Sequence, residues 1–343
     1  MDSNILRRKQ IQGAMAVKGY EITKAADVTS KLQQYRNTYH EKGMYLGWGK
    51  MHEYYSMQLG NCTDWTGFPM SGKTQVLMEL LLNTSMWYGW KHLLYFPDVG
   101  SNVEIIADLI HKKTGKTFDP KQDNAITDAE IIREIDWVTH HFKVLTKKDV
   151  KAKMTPMQFW DLAVKIKAEE GLETASIDSW KDLSHPYSEY GGYAQYLEYA
   201  LPYRNQIAED NNLHLHTIIH PKLTEKERGV RAAPGPYDLK GGSEWFNSGK
   251  CMITVHREDL QDNSVVIKFN KIKPRSIGRI GDIDLKFDRN LFKYYDLTCP
   301  DLNTFVREYA KPRAQKVEHP KNTTLVTNAG NEFEKPNNSE LPF

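Results

Sequence analysis

Short apolar runs alternate with longer stretches in which apolar residues return every three or four positions, from Tyr45 to about residue 220. Runs of the first kind suit buried strands and stretches of the second suit helices lying on them. The alternation therefore predicts an α/β fold with a mostly parallel central sheet. Strands are expected at 62–67, 92–96, 142–145, 174–178 and 213–220, and helices at 73–90, 102–114, 127–140, 155–169 and 194–211. After Pro221 the pattern changes. A polar loop over 222–242 leads to strands at 251–256, 265–270 and 283–287, and Asp288-Arg289-Asn290 reads as a turn into a last strand at 291–295, giving a C-terminal β-hairpin region.

The ends of the chain read differently. Residues 1–45 are polar, with Ile22, Ala25, Ala26, Val28 and Leu32 hinting at a helix, and are expected to form an arm leading into a domain at 46–298. Residues 299–343, rich in Asn, Lys, Glu and Pro, hold at most one short helix at 302–310 and have the composition of a disordered tail. The sequence contains no internal repeat.

Composition narrows the class. With 343 residues, 40% of them hydrophobic, there is ample material for a buried core. Lys plus Arg number 46 against 44 Asp plus Glu, so any nucleic-acid contact must be local rather than a property of the whole surface. Cys62, Cys251 and Cys299 are far apart and lack metal-ligand spacing, which argues against a disulfide framework or a zinc site and for a reducing cytoplasm. No stretch approaches the roughly 20 apolar residues of a membrane span, and no apolar core of a signal peptide follows the N-terminus.

One segment carries specific chemistry. Gly67-Phe68-Pro69-Met70-Ser71-Gly72-Lys73-Thr74, followed by Gln75, has a short strand before it and a Leu-rich helix after it. Its glycines let the backbone curl around phosphates, Lys73 supplies a positive charge, Thr74 is placed to ligand a magnesium ion, and the helix points its positive end the same way. A nucleoside triphosphate with magnesium is the implied ligand. The metal also requires an acid at the end of a core strand. Asp178 fits, although Thr174 and Ser176 occupy positions where Val or Ile would be expected, and Asp178 could instead cap the following segment. Asp98 and His220 each follow a core strand and reach the same edge of a parallel sheet, as a base and a γ-phosphate detector would. The alternatives are that Asp98 caps a helix near Gly100-Ser101 and that His220 is a buried histidine fixed by Pro221.

Taken together these segments resemble the motor domain of DnaB-like hexameric replicative helicases, in particular the Twinkle-like branch. The resemblance covers about 43–296 and rests on six stretches: the phosphate loop, Phe96-Pro97-Asp98, Ile177-Asp178, Ile219-His220-Pro221-Lys222, Asp238-Leu239-Lys240-Gly241-Gly242-Ser243-Glu244-Trp245, and the run from Asn270 to Gly281. It implies a RecA-like P-loop core, with ATP and magnesium bound between subunits of a homo-oligomeric, hexameric ring and single-stranded DNA in the central channel. Asp98 falls on the catalytic acid position, where the family usually has Glu. His220 falls on the γ-phosphate sensor. Lys222, Lys240, Gly241, Gly242 and Ser243 fall on the DNA-gripping segment. The cation acting across the interface follows a Lys-x-Arg pattern in the family, matched here by Lys271 and Lys273, with Arg275 two residues on. Lys271, Lys273, Arg275 and Arg279 could equally be a solvated strand edge. With only about 45 residues before the motor, a primase or loader would act in trans. The implied activity is a 5′ to 3′ DNA helicase in replication; a recombination ATPase and an ATP-gated clamp or scaffold are the alternatives.

Overall fold

The chain from Glu41 onward folds as one unit, with the earlier residues forming another. The computed structural model describes residues 23–37, 43–149, 151–222, 232–259 and 261–296. The expected tail and its short helix, and the larger part of the arm, lie outside them. Within the arm, α1 (Ala25–Asn37) is the anticipated helix, and Leu32 and Tyr35 on it are exposed.

The second unit starts with Met44 and Tyr45 already buried, Met44 pairing with Met57, so the packed core takes in residues that the sequence places in the arm. A single helical turn, α2 (Met51–Tyr54), follows. Then strands and helices alternate: β1 (Asn61–Thr66), α3 (Lys73–Tyr88), β2 (His92–Tyr95), α4 (Asn102–Thr114), α5 (Asp128–His141), β3 (Phe142–Val144), α6 (Pro156–Glu170), β4 (Thr174–Asp178), α7 (Tyr193–Asp210) and β5 (His214–Ile219). A helix, α8 (Gly242–Ser248), precedes β6 (Cys251–His256), β7 (Ser264–Lys271), β8 (Gly281–Asp288) and β9 (Lys293–Asp296).

These strands form one sheet in the order β3-β2-β4-β5-β1-β6-β7-β8-β9. The first six are parallel, and β7 to β9 continue antiparallel. Local sequence fixes several helix starts. Ser101 with Glu104, Thr127 with Glu130 and Thr155 with Gln158 are reciprocal caps that satisfy otherwise orphaned N–H groups in α4, α5 and α6. The capping box at Ser101 also removes the alternative in which Asp98 caps that helix.

Side chains alternate across the sheet, so each strand serves two cores. Ala175 and Ile177 of β4 join one apolar cluster with Phe159 and Trp160 of α6 and Leu197 and Leu201 of α7. Thr174, Ser176 and Asp178 occupy the other side of β4, and all are buried. Their polarity has a reason: a layer of polar groups crosses the neighbouring strands at this level. His92 Nδ1 lies 2.7 Å from Thr174 Oγ1, His214 Nε2 lies 2.9 Å from Thr63 Oγ1, and Trp65 Nε1 donates to His216 Nδ1 at 3.1 Å. Burial pushes all three imidazoles well below their ordinary pKa, His92 to about 3 and His214 to about 4, so they sit there neutral.

The expected polar loop over 222–242 is corrected in its last part. Residues 223–231 lie outside the described set, but Pro236–Asp238 form a 3₁₀ turn and Gly242 and Ser243 are the first residues of α8. The remaining element boundaries fall within a few residues of those expected.

Candidate active site

β1 ends at Thr66 and the chain turns into the phosphate loop. Gly67 has φ +149°, and a Cβ there would lie 2.1 Å from the Val255 carbonyl oxygen of β6. Gly72 has φ +93° and precedes the first turn of α3. A side chain at either position would be strained and would close the cradle. Ser71 Oγ is buried and has no hydrogen-bond partner among the described residues. Phe68 is half-buried, Pro69 and Met70 are exposed, and Met70 has positive φ. Lys73 Nζ folds back to donate to the Phe68 carbonyl at 2.9 Å. Burial lowers its pKa to about 8 despite the nearby carboxylates of Asp178 and Asp98. Gln75, the third residue of α3, has its side chain turned to Asp108 of α4, to which it donates at 2.8 Å.

The parallel sheet brings the other candidates to the same edge. Thr74 Oγ1 donates to Asp178 Oδ2 at the end of β4. Burial lifts the Asp178 pKa to about 6, which the Thr74 hydrogen bond and the Lys73 charge oppose. Asp178 caps nothing; Ser179 and Asp182 close the following turn themselves, Asp182 Oδ2 accepting from Ser179 N at 3.0 Å. Asp98, just past β2, receives His220 Nε2 at 3.3 Å and Lys181 Nζ at 3.0 Å. Burial would raise the Asp98 pKa, but the hydrogen bonds from Lys181 and His220 outweigh it and hold the carboxyl below its usual value. His220 is lowered by its burial and by the Lys73 charge, with Asp98 opposing, so a neutral ring donates Nε2–H to an ionised Asp98. Lys181 is the residue that sequence reasoning missed. It stands three positions after Asp178, on the turn leaving the strand, which no local pattern marks as facing Asp98.

These groups suit a magnesium–triphosphate. The glycine cradle, the unpartnered Ser71 hydroxyl, one ammonium, and a hydroxyl beside an acid are the donor set that such a ligand needs.

The segment expected to grip DNA stands beyond His220. Lys222 N donates to the Asp238 carbonyl at 2.7 Å, and Pro221 bridges to Leu239, which ties 236–240 to the end of β5. Lys222 and Lys240 are exposed, with Lys240 Nζ 4.8 Å from the ring centroid of Tyr193. Gly241 has φ +68° and caps α8. Gly242 is not a contact surface: it is buried, and a Cβ would meet Tyr237 Cα at 2.7 Å. The Ser243 hydroxyl is engaged by Glu244 at 2.8 Å.

The basic run is elsewhere. Lys271 Nζ donates to the Phe246 carbonyl, sealing the end of α8. Lys273 and Arg275 are exposed, and the Lys273 carbonyl accepts from Asn61 Nδ2 at 2.8 Å, at the opposite end of β1 from the phosphate loop. Arg279 pairs with Glu53 at 2.8 Å and lies over Tyr54. Arg279 therefore behaves as the structural strand edge that was one of the two expectations.

No protein-family model matches the chain. A curated relative, the Twinkle homolog of Arabidopsis thaliana described as chloroplastic/mitochondrial, is 26% identical in an alignment 289 positions long that covers 75% of this chain. The chain spans 37% of that relative's length. Among solved structures, an ATPase domain determined on its own superposes with a TM-score of 0.67 at 14% identity, over 81% of this chain and all of that one. A DnaB-like replicative helicase, solved for its interactions with primase, superposes with a TM-score of 0.63 at 14% identity, over 86% of this chain and 72% of that one. The fold is thus RecA-like, and the chain is similar to DnaB-like and Twinkle-like motor domains as its motifs imply. Among the described residues no helix is long and apolar enough to cross a membrane.

Proposed function

We propose, from that likeness and from the site, that this chain is an ATP-dependent DNA helicase motor that translocates on single-stranded DNA in replication. One observation carries the reading: Lys73 and Thr74 of the phosphate loop meet Asp178, Asp98 and His220 at one sheet edge, although these residues come from four separate strand ends. Magnesium–ATP supplies the scissile phosphoanhydride and a dication that offsets its charge. Thr74 and Asp178, already hydrogen-bonded to each other, are the residues that would hold that metal. Lys73 leaves the Phe68 carbonyl to neutralise charge on the outer phosphates. Asp98 orients a water for in-line attack and takes its proton, while His220 and Lys181 fix the carboxylate and sense what lies beyond it.

The charge that completes the site comes from a second copy in this reading. β1 is six residues long, so the Lys273 backbone, held at its start, lies about 20 Å from its own phosphate loop, beyond side-chain reach, and Arg275 follows two residues on. They can act on a triphosphate only across an interface, which fits a homo-oligomeric ring, hexameric by resemblance. A primase or loader would then be recruited in trans.

A second reading, an ATP-gated clamp with slow turnover, is favoured by the short Asp98 carboxylate and its ion pair with Lys181. Measuring ATP turnover with and without single-stranded DNA separates the two. The motor reading requires DNA to accelerate hydrolysis; turnover that is slow and indifferent to DNA leaves the clamp.

A further inference from the structure

Resting on the DNA-motor reading, we propose that Tyr237 is a base-stacking residue, receiving a base of the single strand whose phosphates lie on Lys240. Tyr237 is 64% exposed, the most exposed tyrosine beside that loop. Its backbone is not free to fold the ring away, because Gly242 packs against Tyr237 Cα and the Pro236 carbonyl, and the Gly235 N–H is held by Asp238 at 2.6 Å. Its ring lies beside Phe246, with centroids 5.3 Å apart and planes tilted by 48°. Two cation–ring pairs lie among the residues around α8: Lys240 over Tyr193 and Lys271 over Phe246, each 4.8 Å from the centroid. Lys271 is engaged by the end of α8, whereas Lys240 is exposed.

Alternating rings and ammonium groups suit a flexible polyanion that also carries flat apolar faces. Phosphate contact alone would need only the lysines. A single-stranded nucleic acid satisfies both halves, since its bases are unpaired and every base has a face to stack. The contact carries no sequence code, so the strand can advance past it.

The test compares full-length protein, with magnesium and a non-hydrolysable ATP analogue, binding oligothymidylate and an abasic strand with the same number of phosphates, by fluorescence anisotropy. The wild type should prefer the base-bearing strand by about tenfold or more, the scale of one stacked base. Tyr237→Ala should lose that preference while keeping its affinity for the abasic strand, and Tyr237→Phe should retain it. A preference unchanged in Tyr237→Ala overturns the proposal, as does an equal loss on both strands, which would mark the loop as merely distorted. If neither strand shows salt-dependent binding to the wild type, the DNA reading itself fails, an outcome distinct from the others.

Discussion

In the proposed mechanism Asp98 is the base, and its two neighbours, Lys181 and His220, would set its working range. Lys181 and His220 hold it ionised below the usual carboxylate pKa. Lys181→Met removes the stronger partner, so the Asp98 pKa rises and the acid limb of the pH profile of kcat/KM moves to higher pH. Its position in steady-state assays at graded pH is the check, and an unmoved limb would mean that Asp98 is not the base. Two other groups bracket nucleotide binding by the free protein. Asp178 is ionised above about 6 and Lys73 is charged below about 8. Magnesium–nucleotide binding should be tightest between those values, weakening as pH falls through the first and rises through the second, as titration with a fluorescent ATP analogue would register. Lys73→Ala should cost roughly a thousandfold in turnover, the upper scale for removing one preorganised charge-stabilising group, with the fold intact by circular dichroism. Near-wild-type turnover would end the reading of this loop as an ATPase site.

At the scale of elements, the motif residues were legible because the parallel sheet delivers strand ends to one edge: naming the strands named the site. β4 was the hard strand to read. Its polar positions answer His92 and its neighbours, partners far away in sequence that no local pattern reveals. Lys181 escaped because nothing before the fold says that the turn after Asp178 bends toward Asp98. α8 escaped because Gly241-Gly242 reads as loop, when in fact one glycine caps the helix and the other lets it pack against Tyr237. Another partnership invisible in the sequence is Arg204 of α7, whose guanidinium pairs with Asp64 of β1 through both nitrogens, Nη2 lying 3.1 Å from Oδ2. Both are fully buried or nearly so. Arg204→Met would strand the Asp64 charge and should cost about 3–5 kcal/mol in urea unfolding. Pairing it with Asp64→Leu should recover much of that loss; if the double variant is as unstable as the single, the cost lies in packing and not in charge.

For the whole molecule, the proposed ring would make the active site a property of two copies, with Lys273 or Arg275 acting on a neighbour's phosphate loop. A variant lacking the trans cation should bind ATP normally and hydrolyse it slowly, since the group acts on transition-state charge. Mixed with Lys73→Ala, each inactive alone, it should regain turnover above the sum of the two, because some interfaces then carry an intact loop opposite an intact cation. Absence of rescue in mixtures shown by mass measurement to contain hetero-oligomers would place the cation elsewhere.

The far end of the described chain also reaches the phosphate loop. Tyr294 N in β9 donates to both carboxylate oxygens of Glu79 in α3, at 3.1 and 3.0 Å, and the Tyr294 hydroxyl lies against Gly72. Lys112 of α4 is buried beside the same Glu79 carboxylate. Synthesis runs the other way: the loop is translated more than 200 residues before the strand that braces it. While a ribosome is still making β7 and β8, α3 carries a carboxylate whose backbone donor does not yet exist. The brace on α3, whose first turn carries Lys73 and Thr74, is thus among the last contacts that translation makes available.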